Sequence, residues 1–313
     1  MDFFLVDAFV NINVQISEDS SRLNYQFSCR SKFLKFFEHL VYKTKGYLGN
    51  PAGVIICGSE WPNEMQKIAA EINQNETAFI KGAINNQNFE LKWFTPTCEV
   101  PLCGHATLAA ASVIFKEYQS QFNEISFETL SGQLIVTKTE HGYSMDFPAE
   151  IPASLTSEQH DLASNLWDII KKSFENPPHY IEAVLGIRTK KLIFRVRNSD
   201  HNRTEIEKMT IPNEKRLLSF HDGSVVRGIC IALGDDNTCF SRYFAPWNGL
   251  PEDSVTGSLH TVLTPYFTKN VQNKLLEATQ RSPRGGSLVC QLAGDRVILN
   301  GKSQITIRGK YID

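Results

Sequence analysis

Two stretches of this 313-residue chain read as copies of one unit. KWFTPTCEVPLCGHATLAAA spans residues 92–111, and RYFAPWNGLPEDSVTGSLHTVL spans residues 242–263. Each has a basic residue, an aromatic, Phe and a small residue before Pro; an acidic residue, a glycine and an apolar helical run follow. A spacing of about 150 residues is far too long for a solenoid. It predicts two similar domains, each containing a strand–loop–helix module, packed face to face with the glycine turns at the seam. A helix start has N–H groups without intrahelical partners and carries partial positive charge. Two such starts in one cleft make a site for an anion, most simply a carboxylate. Gly104 and Gly257 would let a ligand approach the backbone closely.

The rest of the chain fits an α+β class. FFLVDAFV and VIIC read as strands, and residues 63–73 as an amphipathic helix with Met65, Ile68, Ala69 and Ile72 on one stripe and Asn63 as its cap. ETAFI, FELKWFTP, ISFET, QLIVTK and YSMDFP alternate like strands. ATLAAASVIFKEY and SLHTVLTPYF are apolar almost all round and predict buried helices, the second with Pro265 as a kink or stop. A helix over 157–174, strands at KLIFRVR, VVRGICIAL and CFSRYFAP, and a strand-rich tail with GD and NG turns complete the pattern. Strands arrive mostly in hairpins, so the sheets are expected to be mixed or antiparallel. The expected domains are 1–128 and 129–289, with strands from 290–313 returning to the first. Residues 13–46 interrupt the pattern. Phe33, Phe36, Phe37, Leu40 and Val41 there fall at helical spacing, as a packed helix or a partner-binding one.

Composition excludes several classes. The formal charge of −2 gives no basic field for nucleic acid or anionic membrane. No apolar stretch approaches the roughly 20 residues of a membrane span, and the N-terminus lacks the basic region of a signal peptide. Seven scattered cysteines without CxxC point to a reducing cytoplasm rather than a disulfide framework. The metal-ligand residue types look too scattered for a metal site, and no GxGxxG follows a strand, so no cofactor is expected.

VDAF, GNPAGV, NETAFI, WFTP, EVPLCGHATLAAA and RYFAPW with EDSVTGS, in this order, resemble the phenazine-biosynthesis-like (PhzF) family, its animal members above all. The likeness runs over nearly the whole chain. It implies the diaminopimelate-epimerase-like fold: two pseudo-symmetric domains, each a sheet wrapped around a central helix. It also implies a cofactor-independent isomerase that moves a proton on a small carboxylate substrate between the domains, and a homodimer. On this pattern Glu76 of NETAF is the general acid/base. His105 of GHAT, and Asp253 and Ser258 of the ED–TGS motif, contact substrate beside Gly104 and Gly257. Ser254 stands where the family often has proline. Residues 13–46 are an insertion relative to the pattern.

The same residues have plainer readings. Asp253 and Ser258 are good helix caps, and His105 at a helix start is expected to be a neutral imidazole. A thiol at such a start can be acidified, and two-base epimerases of this fold place a cysteine on each repeat. Here Thr256 holds the second position, and its hydroxyl is far too weak an acid. That argues against a racemase or epimerase and makes Cys103 a small buried filler. The alternative from another class is a catalytically retired scaffold acting through a protein partner.

Overall fold

The computed structural model describes residues 1–10, 24–25, 49–83, 87–118, 121–140 and 142–311. The chain forms two compact units, residues 1–146 with 300–313, and residues 147–299. In the first unit, β1 (Asp2–Ala8) pairs antiparallel with β3 (Asn50–Gly58) and with the C-terminal strand β19 (Ser303–Lys310). A two-residue strand, β2 (Asn24–Tyr25), runs parallel to β19. From β3 the sheet continues parallel to β4 (Glu76–Lys81), antiparallel to β5 (Asn88–Phe94), parallel to β7 (Glu124–Thr129) and antiparallel to β8 (Gly132–Thr139). The short β6 (Glu99–Val100) folds back on β5, and β9 (Gly142–Pro148) pairs with β8.

Helix α1 (Met65–Ile72) covers one face. Its Ile68, Ala69 and Ile72 pack with Phe3, Leu5, Ile55, Phe79 and Phe94. Helix α2 (Gly104–Val113), extended by a π turn over Ile114–Tyr118, packs against β1, β3, β4 and β19. Every residue of α2 is buried, which explains a sequence of Ala and small residues with no polar stripe. Its two buried hydroxyls are satisfied within the helix: Thr107 Oγ1 donates to Cys103 O at 2.5 Å and Ser112 Oγ to Ala109 O at 2.9 Å.

The second unit repeats the plan. β10 (Ala153–Ser154) pairs with β11 (Tyr180–Gly186). The ladder from β11 runs antiparallel to β12 (Lys191–Val196), parallel to β13 (Gly228–Leu233) and antiparallel to β14 (Thr238–Ala245). It continues parallel to β16 (Leu275–Gln280) and antiparallel to β17 (Gly286–Ala293), with short β15 (Leu250–Asp253) folding back on β14. This is the order antiparallel, parallel, antiparallel, parallel, antiparallel that leads from β1 to β8. β18 (Arg296–Gly301) follows β17 after a left-handed Gly294.

Helices α3 (Ser157–Ile170), α4 (Asp200–Lys208) and α5 (Glu214–Phe220) supply Leu166, Trp167, Ile206 and Leu217 to a core with Phe194, Ile231 and Phe244. The central helix is α6 (Gly257–Phe267), packed on β14, β16 and β17. Pro265 sits inside it without ending it. The N–H that Pro265 lacks would have bonded Thr261 O, and Glu150 N donates to that carbonyl instead, at 3.1 Å.

Several expectations shift. The first unit runs on to Asp146 rather than ending at 128, because β7 to β9 extend the ladder from β5. Glu64, not Asn63, precedes α1, and no side chain caps it. Helices α4 and α5 are additions to the sequence reading. DHNRTEIEK buries only Glu205 and Ile206, so it shows no apolar stripe. Except for β2, residues 13–46 lie outside the described residues, including the apolar positions 33–41. Among the described residues no helix is long and apolar enough to cross a membrane.

Leu108 is fully buried at the middle of α2. Leu108→Ala should therefore cost about 2–5 kcal/mol of stability, read as a lower urea midpoint at unchanged slope. A loss below about 1 kcal/mol would show that α2 does not carry the core of the first unit.

Candidate active site

The first unit gathers its site where β1 hands over to β3. Gly49, at φ 98°, has its missing Cβ 2.3 Å from Ala8 O, so only glycine fits this turn. The turn starts β3 at Asn50. β4 enters parallel to β3 with Glu76 opposite Ala52, so Glu76 is the first residue of its strand. Gly53 lacks the side chain that would strike Thr77 and Ile72, which lets β4 and α1 close on β3. Helix α2 begins beside these strand starts, and His105 is its second residue.

His105 is the hub. Its Nε2 lies 3.1 Å from Glu76 Oε2, and both side chains are buried. That is ion-pair distance, yet neither atom has a hydrogen-bond partner of good angle. On the other side of the ring, Nδ1 lies 3.2 Å from Asn50 Nδ2 and 3.5 Å from Cys103 Sγ. Asn75 Nδ2 donates to Asn50 Oδ1 at 3.3 Å, which orients the Asn50 amide. With Asn50 donating to Nδ1, the ring proton sits on Nε2 and faces Glu76.

Charge decides the state of the ring. Burial works against the imidazolium, but Cys103 and Glu76 outweigh it and hold the His105 pKa well above the usual value. Two influences oppose each other here: the bond from Asn50 to Nδ1 describes the neutral ring expected at a helix start, while a carboxylate at 3.1 Å favours a second proton. Taking up the second proton at Nδ1 requires the Asn50 amide to turn over. Cys103 is not acidified. Burial, then the Glu76 charge, raise its pKa against the opposing effect of His105. It is a buried thiol, as expected of a filler, but its sulfur touches His105.

In the second unit Asp253 ends β15 opposite Tyr243. Thr256 Oγ1 donates to Asp253 Oδ2 at 2.6 Å. Gln280 ties the turn together: its Nε2 donates to Asp253 O at 2.6 Å, and its Oε1 accepts from Thr256 N at 2.9 Å. Thr256, rather than Asp253 or Ser258, occupies the cap position of α6, and its side chain makes no cap bond. The Arg242–Glu252 ion pair, at 2.7 Å and buried at both ends, clamps β15 to β14 next to Asp253. Arg242 Nη1 also donates to Ile206 O at 3.2 Å and Met209 O at 2.6 Å, at the end of α4. Lys191 is buried at the start of β12. Burial lowers its pKa to about 8, against the opposing charges of Glu150 and Asp253.

Helices α3, α4 and α5 have their first N–H groups capped by Thr156, Ser199 and Asn213. Helices α2 and α6, which begin at buried Gly104 and Gly257, have no side-chain cap. Helix α1 lacks one too, but Glu64 before it is exposed.

The ladder registers align the repeats residue by residue. Phe94 pairs with Thr77, and Phe244 with Ile229. Glu76 therefore corresponds to Gly228, and Ala52 to Lys191, which faces Gly228. A side chain at Gly228 would meet the Tyr243 hydroxyl at 1.9 Å. Where the first unit has Glu76 and Cys103, the second has Gly228 and Thr256. Asn50, Asn75, Gln280, Arg242 and Lys191 were missed as site residues. Asn50 sits in the quoted GNPAG turn, but Gln280 belongs to no motif and only the fold brings it in. Glu76, distant in sequence from the neighbouring Cys103 and His105, joins them so that the three offer ligand atoms within 4.8 Å of one another, against the expectation that such residues are scattered.

Two sheets of one plan, each around a buried glycine-started helix, with a carboxylate–imidazole pair in one, define an epimerase-like α+β protein. The chain belongs to the phenazine biosynthesis-like (PhzC-PhzF) family, whose model matches residues 41–312. It is 37% identical to a phenazine biosynthesis-like domain-containing protein of Bos taurus, over 86% of this chain and 95% of that one. It is 34% identical to a Pseudomonas aeruginosa protein named as an uncharacterized isomerase, over 88% and 98% of the two chains. A PhzF-family crystal structure from Enterococcus faecalis matches with TM-score 0.72 at 30% identity, covering 99% of each chain.

Two measurements test this geometry. Glu76→Gln should lower the His105 pKa, read by NMR of the ring. A folded-state pKa raised above the unfolded value of about 6.5 adds stability that is complete below that pH and fades as pH rises through the folded value. The stability gap between wild type and variant should therefore shrink toward high pH. A His105 titration unmoved by the change would show that Glu76 does not hold the proton. Second, Arg242→Met strands a buried Glu252 and should cost about 3–5 kcal/mol in urea denaturation. A near-neutral result would mean that the pair does not anchor β15.

Proposed function

We propose that this protein is a cofactor-independent isomerase that shifts a proton on a small carboxylate substrate, with Glu76 as general acid/base. The observation that carries the reading is the buried Glu76–His105 pair at 3.1 Å, beside a helix start with no cap. The P. aeruginosa relative named as an isomerase supports the reaction class.

Glu76 takes a proton from one carbon of the substrate, the double bond migrates, and the same carboxyl group returns the proton at another carbon. His105, with a proton at Nε2, stabilises the Glu76 carboxylate before the first transfer and after the second; between them Glu76 is a neutral carboxylic acid that carries the proton. The N–H groups at the start of α2 bind the substrate carboxylate, and the start of α6, with Ser258 and Asp253, offers a second polar set. Because the second unit has Gly228 and Thr256 at the positions of Glu76 and Cys103, acid–base power is one-sided. One carboxylate that gives back its own proton suits an isomerisation. A racemase needs an acid on each side.

The test is deuterium uptake in D2O, read by mass shift, with a panel of small unsaturated and hydroxylated carboxylates and a deproteinised cell extract. Wild type should incorporate deuterium, and Glu76→Gln should lose about 10²–10⁴-fold in rate. Equal uptake by both proteins would remove Glu76 from the chemistry. Uptake by neither, across panel and extract, would favour the scaffold reading.

A further inference from the structure

We propose that Lys191 and Tyr243 form a binding site in the second unit for one small carboxylate group. Lys191 begins β12 between two glycines, Gly186 on β11 and Gly228 on β13. Paired residues of neighbouring strands point to one face of a sheet. A side chain at Gly186 would meet Glu150 Oε2 and Val262 of α6, each at 3.3 Å, so Lys191 projects onto the face that carries α6. Leu192 and Phe194 alternate to the opposite face, in the core under α3, α4 and α5. A side chain at Gly228 would meet the Tyr243 hydroxyl at 1.9 Å, and paired strands such as those of Gly228 and Lys191 lie about 4.8 Å apart. The phenol therefore reaches over Gly228 to the side of Lys191. Asp253 faces the same way, since it pairs with Tyr243.

Lys191 and Tyr243 are 7% and 4% exposed, and neither head group makes a hydrogen bond or an ion pair with a described residue. A buried ammonium carries three donors and is ordinarily paired. The carboxylates nearest to Lys191 are engaged elsewhere. Glu150 accepts from Arg188 N at 2.6 Å and from Thr189 N at 3.2 Å, and Asp253 Oδ2 accepts from Thr256 Oγ1 at 2.6 Å. They act on Lys191 only through space, and burial outweighs them. Burial, then the Asp253 charge, keep the Tyr243 phenol protonated, so it offers an O–H. One ammonium and one phenol match the two oxygens of a carboxylate, which supplies the bonds that both donors lack. The charges of Glu150 and Asp253 also set the ligand's charge: a single negative charge is drawn to Lys191, and a dianion such as phosphate is repelled. Glu76 and His105 take no part, so the inference does not rest on the isomerase reading.

The experiment is an acetate titration of the full chain carrying isotope-labelled lysine, followed by NMR of the lysine Cε signals. It is run at about pH 6, below the Lys191 pKa of about 8, with chloride holding the ionic strength constant. The Lys191 signal is assigned by its loss in Lys191→Met. The expected result is a saturable shift of that signal with acetate, little response to inorganic phosphate, and acetate affinity down at least about tenfold in Tyr243→Phe, which removes only the hydroxyl. No saturable shift, an equal response to phosphate, or unchanged affinity in Tyr243→Phe would each overturn the proposal. Lys191→Met supplies a second reading. A residue kept for binding leaves the urea midpoint at or above that of the parent when its buried charge is removed. A midpoint far below the parent's, or failure to fold, would make Lys191 a structural counter-charge to Glu150 and Asp253 and overturn the proposal. No turnover is measured, so failure here leaves the isomerase reading standing.

Discussion

A helix buried along its whole length sets the terms for each unit. Helix α2 exposes no residue, and α6 almost none. Such a helix has no solvent to satisfy its first N–H groups, so these must find protein, ligand or water partners. In both units a glycine starts the helix and the cap position makes no side-chain bond. Beside these helix starts the neighbouring strands place polar side chains: Asn50 and Glu76 at the starts of β3 and β4, and Asp253 at the end of β15. The site is thus a by-product of a packing choice: burying the central helix leaves the partial positive charge of its first N–H groups inside the protein.

Two histidines on these helices show how a neighbour sets chemistry. His260, on α6, is fully buried and donates through Nδ1 to Thr256 O at 2.7 Å. Burial pushes its pKa down to about 4, so it stays neutral. His105, as deeply placed on α2, is held the other way. Depth in the protein does not separate them. Glu76 does, and it is there because β4 starts one strand over, opposite Ala52. At the matching place in the second unit the chain has Gly228, and the Tyr243 ring fills the space. Duplication supplied two equivalent frames, and substitution at a few register positions made one a proton site and left the other polar but without an equivalent acid.

Much of this was legible in the sequence because the repeat is written twice in the same order. The Phe-x-Pro and Gly-helix pattern located both central helices, and the GHAT and NETAF stretches located His105 and Glu76. What stayed hidden depends on contacts between distant segments. The pairing of Glu76 with His105 follows from the β3–β4 register, which no local pattern encodes. Gln280 reaches Asp253 only because β16 lies parallel to β14. Helix α4 escaped because its buried side is two residues wide. Residue types at a helix start suggested caps, yet Thr256 spends its hydroxyl on Asp253. One local preference lost to another, a bond between residues three apart.

The Glu76–His105 pair also bears on why a protein would keep it. A buried charged pair is a poor source of net stability, because desolvating both groups offsets most of their attraction. Leaving Oε2 and Nε2 without good hydrogen bonds forgoes still more. Apolar residues of similar volume would pack α2 against β4 at lower cost. A fold selected for stability alone has no reason to hold these two groups half-satisfied at the start of its most buried helix. The cost is understandable if the unfilled bonding capacity is what is being held in place: a carboxylate and an imidazole positioned to meet a proton that arrives from outside.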